Sequence, residues 1–268
     1  MSARPETSTT SAGGDGHICL VVDDGDSYAD SAAAFLSEGG ARHEKTVTFG
    51  PQDSLAQQRL QQLADVAVDP HVDVLDRGLL DSERMFAMFR QEAATALDEG
   101  YARLRVAADM DWLLPVTRDG DETLRFEVLL DRVVSEVDAT VLCAYRRASF
   151  SPDTILGMRC THPVVAGHSE REPVKVIAGD DGAWILSGEL DVSASCVLVP
   201  ALRATASERW VVDVSGLVFA DVSGMRAIVT AVRQANRTLH ARGASEKLKR
   251  YWRLAGFDRT ATRVVFDS

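Results

Sequence analysis

Short apolar runs alternate along most of this chain with longer segments in which apolar residues recur every three or four positions. The runs read as buried strands and the longer segments as amphipathic helices. The first run is His17-Ile18-Cys19-Leu20-Val21-Val22, closed by Asp23-Asp24-Gly25-Asp26. Asp26 or Ser27 is expected to cap a helix reaching about Ser37, with Gly39-Gly40 as its stop. Further strands are expected at 46–49, 72–75, 104–107 and 140–145. Helices are expected at 55–63, from Asp81-Ser82 up to Gly100, at 123–136, and from Ser151-Pro152 onward, where proline suits the first turn. This alternation predicts an α/β domain: a mostly parallel sheet with helices on both faces.

Residues 164–171 show no periodicity and read as a linker. The expected division is a disordered tail at 1–16, a first domain at 17–167, a link at 168–173 and a second α/β domain at 174–268. In the second domain a hairpin turns through Gly179-Asp180-Asp181-Gly182 into a strand from Trp184 to Leu190. A helix over about 193–204 follows, which Pro200 should kink or restart. Trp210-Val211-Val212-Asp213 reads as a strand buried on both faces, Ser215-Gly216 as a turn, and Leu217-Val218-Phe219 as another short apolar run. Asp221 stands at a helix N-cap, and Met225, Ile228, Val229 and Val232 form one face of a helix reaching about Leu239. The free N–H groups of residues 222–224 then lie at the positive end of the helix dipole, where a phosphate or a partner carboxylate is favoured. Ser245 caps a last helix ended by Gly256, and 264–266 is a closing strand.

Charge sharpens the division. The chain has 268 residues and a net charge of -11, which argues against nonspecific binding to nucleic acid or to an anionic membrane. Residues 1–168 carry 28 acidic and 15 basic side chains, whereas residues 169–268 carry 12 and 14. The second half therefore has a basic surface suited to an acidic partner or to the first domain. Four separated cysteines without a C-x-x-C pattern read as reduced, buried thiols of a cytosolic protein. No apolar run reaches the roughly 18 residues of a membrane span.

Candidate chemistry is sparse. The loop after the first strand has one glycine, no lysine and three carboxylates, so it cannot hold nucleotide phosphates as a P-loop does. Asp23 and Asp24 with Asp76 resemble the acidic set of a phosphorelay receiver, but no lysine lies between Lys45 and Lys175 to complete it. His17, Cys19, Cys143, Cys160 and His162 are imaginable as metal ligands. Their spacing lacks the tight pairs of zinc sites, and core packing is the expected role, so no metal or other cofactor is expected. No nucleophile elbow, metal motif or catalytic triad is present, and the chain reads as a non-enzyme. A small-molecule pocket is expected at the carboxyl ends of the parallel strands, rimmed by Asp23, Asp24, Asp26, Asp109 and Trp112.

Two resemblances add to this reading. Asp213-Val214-Ser215-Gly216, Phe219-Ala220-Asp221-Val222-Ser223-Gly224-Met225 and Gly188-Glu189-Leu190-Asp191 resemble the switch segment and first hairpin of STAS domains, the fold of anti-sigma factor antagonists. That resemblance implies a contact surface of Asp191, Asp221, Val222, Ser223, Gly224, Met225 and Arg226 for an anti-sigma factor of the serine-kinase type. The family's phosphoacceptor hydroxyl falls at Val222, so the resemblance implies binding without that switch. Residues 15–167 resemble the MEDS sensory domain, a degenerate relative of RecA-type ATPase domains. The resemblance rests on His17-Ile18-Cys19, Asp81-Ser82-Glu83-Arg84-Met85, Asp109-Met110-Asp111-Trp112, Val141-Leu142-Cys143-Ala144-Tyr145 and Thr161-His162-Pro163. It implies a domain that senses a small molecule or docks a partner and so controls the second domain. A scaffold that assembles with other STAS proteins, a nucleotide-dependent switch or enzyme in the first half, and a homo-oligomer stay open at this point.

Overall fold

The computed structural model describes residues 16–166 and 174–267. The expected tail, apart from Gly16, and all of the expected link lie outside the described residues. The first domain runs β1 (His17–Val22), α1 (Gly25–Ala41), β2 (Lys45–Phe49), α2 (Leu55–Leu60), β3 (Val66–Val68), α3 (Ser82–Asp98), β4 (Leu104–Asp109), α4 (Gly120–Ser135), β5 (Ala139–Arg146), α5 (Pro152–Thr161) and β6 (Val164–Ala166). All its strand pairings are parallel, in the order β3-β2-β4-β5-β1-β6. The two-residue period of the strands builds two cores. Ile18, Leu20, Val22, Leu142 and Ala144 pack with Tyr28, Ala32 and Leu36 of α1 on one face. Cys19, Val141, Cys143 and Tyr145 pack with Phe126, Leu130 and Val133 of α4 on the other.

Several boundaries differ from expectation for local reasons. α1 is capped by Asp24, whose side chain accepts the Ser27 N–H at 2.8 Å, and it runs through Gly39-Gly40. Gly39 is there for close approach: a Cβ would stand 2.5 Å from Cδ of Arg105, which packs across it. Residues 72–75 are not a strand. Pro70–Val74 is a π-helical turn, because Asp69 accepts the His71 N–H at 2.9 Å and Asp73 accepts the Asp69 N–H at 2.8 Å. Val66–Val68 takes the sheet edge instead. α4 begins earlier than its apolar stripe, at a first turn of charged residues capped by Asp119. Val164–Ala166, expected as linker, pairs along the open edge of β1 as β6.

The second domain contains β7 (Lys175–Ala178), β8 (Trp184–Leu190), α6 (Ser195–Ala204), β9 (Trp210–Asp213), β10 (Leu217–Ala220), α7 (Val222–Ala235), β11 (Leu239–Arg242), α8 (Glu246–Leu254), α9 (Phe257–Thr260) and β12 (Val264–Phe266). β7 and β8 form the expected hairpin. β9 and β10 both run parallel to β8, and β11 joins β9 to β12. α6 continues through Pro200, since Val197, Leu198, Ala201 and Leu202 on either side of it are buried and hold the helix in place. α7 ends at Asn236 in the left-handed region (φ 52°), and Leu239 begins a strand rather than closing the helix. Among the described residues, no helix is long and apolar enough to cross a membrane.

The two domains share a core. α6 and β7 pack against α4 and α5. Arg132 of α4 donates to the carbonyls of Gly179, Gly182 and Ala183 at 3.1–3.2 Å, and its guanidinium lies 4.4 Å from the centre of the Trp184 ring. Lys175 of β7 donates to the carbonyls of Arg159 and His162, each at 2.9 Å. The Ala178 N–H donates to the buried Asp131 at 2.6 Å.

The helical glycines give a paired prediction. Gly39→Ala should lower stability in urea unfolding by about 1–3 kcal/mol, because the Arg105 stem and Thr46 fill the space its methyl needs. Gly40→Ala, with nothing within 4 Å of its added Cβ, should raise stability by about 0.5–1 kcal/mol.

Candidate functional site

The second domain's candidate surface is built at the turn between β9 and α7. Asp213 ends β9 and accepts the Ser215 N–H at 2.9 Å, which folds the Asp-Val-Ser-Gly turn. Its other oxygen takes Nε and Nη2 of Arg242 at 3.1 and 3.0 Å, and Arg242 Nη1 reaches Asp181 at 2.5 Å. The hydrogen bonds from Ser215 come first in holding the Asp213 carboxyl below the usual carboxylate range. They outweigh partial burial, and Arg242 assists. Gly216 lies against Ser187 of β8, where a Cβ would stand 2.7 Å from the serine Cβ.

The chain then passes along β10 into α7. Asp221 accepts the Gly224 N–H at 2.7 Å as the helix cap, and its own N–H donates to the Leu190 carbonyl at 2.9 Å. That bond sets Asp191 beside the helix start. Asp191 itself accepts from the N–H and hydroxyl of Ser193 at 2.9 and 2.5 Å. Gly224 is pressed on Leu190: a Cβ would meet the leucine Cγ at 2.4 Å and its carbonyl oxygen at 2.6 Å, so no side chain fits.

Of the residues expected to make the contact surface, Val222 is 49% exposed, Arg226 is exposed, and Asp191, Asp221 and Ser223 are half-buried. Gly224 and Met225 are buried and belong to the support beneath, because the Met225 side chain lies on the core stripe of α7. Sequence pattern alone missed the exposed apolar neighbours Val192, Val218 and Phe219. Val218 and Phe219 lie on β10, the short edge strand paired with the end of β8, and Val192 lies just past that end.

The acidic residues expected around a ligand pocket in the first domain have other work. Asp24 caps α1, Asp23 pairs with Arg147 at 3.1 Å, and Asp26 faces Arg59 at 3.6 Å. Asp109 is buried and paired with Arg146, which also holds Asp111. Burial raises the Asp109 carboxyl, and the guanidinium only partly offsets it. Trp112 is fully buried and meets Phe49 and Phe126 edge-on, at 5.5 and 5.7 Å between ring centres. It lines an apolar cavity of about 160 Å³ together with Val47, Met85, Phe126, Leu130 and Cys143. The cavity lies on the α3 and α4 face of the sheet, and Asp23, Asp24, Asp26 and Asp109 do not line it.

The imidazoles and thiols are sorted by the fold. Cys19, Cys143 and Cys160 are buried, whereas Cys196, expected to be buried, is exposed on the first turn of α6. His17, Cys143 and His162 meet at one point, joined by Glu127 of α4, while Cys19 and Cys160 are not members of this group. Glu127 was missed because it stands inside a regular amphipathic helix, where a glutamate ordinarily faces water. Burial, then the Glu127 carboxylate, push the Cys143 thiol up to about 12. Burial and the neighbouring His17 hold His162 well below the ordinary imidazole value.

Two family models match the chain. Residues 16–163 match the model of the MEDS domain, the MEthanogen/methylotroph, DcmR Sensory domain. Residues 176–265 match the Mlab, STAS domain model. No curated protein gives a significant match.

The Asp213 contacts predict a pH dependence. Its folded pKa is lowered, so its contribution to stability is present above the ordinary aspartate value of about 3.9. That contribution is lost as pH falls through the lower folded value. Asp213→Asn should therefore be less stable than the parent by about 1 kcal/mol at pH 7. The gap between their urea midpoints should close progressively below about pH 4.

Proposed function

Because this chain belongs to the MEDS sensory family and ends in a STAS domain, we propose that it is a signalling regulator whose second domain docks an anti-sigma factor of the serine-kinase type and thereby frees a sigma factor. The observation that carries this reading is the exposed Val222 on the first turn of α7, next to the capping Asp221 and beside Asp191. An aliphatic side chain with Val192, Val218 and Phe219 exposed nearby offers apolar contact, and Arg226 adds positive charge at its edge. Within residues 226–263 there are 10 basic and 2 acidic side chains, which suits an acidic partner surface.

A phosphate at residue 222 would add about two negative charges next to Asp191 and Asp221 and repel such a partner. Valine cannot carry one, so docking is not interrupted by phosphorylation there. Control passes to the first domain, which shares a core with the second through α4, α5, α6 and β7. The apolar cavity walled by Trp112, Phe126 and Met85 is suited to a small, mostly apolar signal molecule.

Co-purification of the full chain from native lysate should recover a serine-kinase-type anti-sigma factor. Val222→Glu should weaken that complex at least about tenfold, or about 1.4 kcal/mol, without changing the melting temperature by more than a degree or so. After incubation of the complex with ATP, mass spectrometry should find Ser223 unmodified. Phosphate on Ser223 contradicts the unswitched docking. Recovery of only other STAS proteins would replace the sigma-factor reading with a scaffold.

A further inference from the structure

We propose that His17, Glu127, Cys143 and His162 form a binding site for one divalent transition-metal ion of the zinc type, set inside the first domain beside its junction with the second. One ligand atom from each lies within 4.8 Å of all the others. His17 Nε2 is 3.2 Å from Glu127 Oε2 and 3.4 Å from Cys143 Sγ, and His162 Nε2 is 3.5 Å from Glu127 Oε2. A tetrahedral ion with bonds of about 2.0–2.1 Å to nitrogen or oxygen and about 2.3 Å to sulfur has ligand-to-ligand edges of roughly 3.3–3.6 Å. The observed separations fall close to that range. The four residues come from β1, α4, β5 and the end of α5, so the cage is held by four separate elements.

Hydrogen bonding points the same way. All four side chains are at most 1% exposed. Among the described residues, neither oxygen of Glu127 has a well-aligned hydrogen-bond partner, nor does Nε2 of His162. They stand close but misaligned for N–H···O contact. A buried carboxylate left in this way is costly unless a cation pairs with it; a protonated His17 at 3.2 Å does so in part, and a divalent ion would do so more fully. The second nitrogen of each imidazole is engaged elsewhere. His17 Nδ1 faces Asp131 at 3.3 Å, and His162 Nδ1 reaches the Met158 carbonyl at 2.6 Å. Carboxylate and carbonyl acceptors at Nδ1 leave the Nε2 lone pairs free for metal, the usual outer-shell arrangement. Binding releases the Cys143 thiol proton, and any proton on His17 Nε2, to solvent. One thiolate, one carboxylate and two neutral imidazoles then balance a divalent charge, and the mixed sulfur, nitrogen and oxygen set suits zinc or cobalt.

The site also touches the second domain. The Asp131 oxygen not facing His17 accepts the Ala178 N–H, and the His162 carbonyl accepts from Lys175. Both partners belong to β7. The two imidazole rings are tilted by 32° with centres 3.7 Å apart, whereas two imidazoles on one tetrahedral ion stand about 5 Å apart. Loading would therefore part the rings, and the groups flanking them, Asp131 and the His162 carbonyl, are hydrogen-bonded to β7. Cys143 also forms part of the apolar cavity wall, so the ion would stand between the cavity and the junction. This assignment rests on the first domain alone and stands apart from the identity of any docking partner.

The test is cobalt titration of the full chain after chelator treatment. Expected are saturation at about one Co²⁺ per chain, the intense visible bands of a tetrahedral site, a thiolate-to-cobalt charge-transfer band, and loss of all of these on adding one equivalent of Zn²⁺. Cys143→Ser should lose the charge-transfer band, while Cys196→Ser, at the exposed thiol, should keep it. Zn²⁺ should raise the melting temperature of the parent but not of Glu127→Gln. If Cys143→Ser does not fold, the parent's spectrum and stoichiometry still decide. Failure of the parent to bind cobalt, or a cobalt spectrum without a thiolate band, leaves a hydrogen-bonded core cluster and overturns the assignment. So does a band that persists in Cys143→Ser.

Discussion

The buried carboxylate of Asp131 is the contact on which the arrangement of this molecule turns. One oxygen faces His17 on the first strand of the first domain, and the other accepts the backbone N–H of Ala178 on the first strand of the second. An aspartate with 3% exposure is tolerated only when its oxygens are satisfied, and these partners come from both domains. Arg132, the next residue along α4, adds three carbonyl contacts and a stacked tryptophan on the same hairpin. Two adjacent residues of one helix thus fasten β7 and β8 to the sensory sheet. The apolar packing of α6 on α4 and α5 surrounds that polar centre and excludes water from it.

This placement makes the MEDS and STAS domains mechanically continuous. A change around β5 and α4 is within one or two contacts of β7. β7 is hydrogen-bonded to β8, and the end of β8 supports the start of α7 through Leu190. The route runs through hydrogen-bonded backbone and packed side chains rather than through a free tether. The glycines along it are close-approach positions. Gly224 on Leu190 and Gly216 on Ser187 let the α7 segment sit directly on β8, so the exposed face of the helix start is fixed by strand geometry.

Much of this was legible in the linear pattern. The residues in the caps and turns announced themselves, because Asp81, Ser151, Asp221 and Ser245 each precede a helical stripe and each accepts an N–H three residues on. The motif around Asp213 and Asp221 was also readable, since the hydrogen bonds that fold its turn and cap its helix are local. Errors arose where a local signal had a nonlocal purpose. Gly39-Gly40 looked like a helix stop, yet Gly39 makes room for Arg105 from a distant strand. Val164–Ala166 looked like linker because three residues cannot show a period, and its role depends on the vacant edge of β1.

The sequence by itself determined the alternation of strands and helices and the two-domain division of charge. Each of these depends on neighbours within a few residues or on simple counting. Only the tertiary structure decided that Met225 is buried while Val222 is exposed, that the two domains share one core, and that Glu127 joins His17, Cys143 and His162. His17 and Cys143 are 126 residues apart in the chain, and their meeting is set by the parallel register of β1 on β5 together with the packing of α4 across both. Proximity of that kind is a property of sheet order and helix placement, for which a single chain of letters carries no local signal.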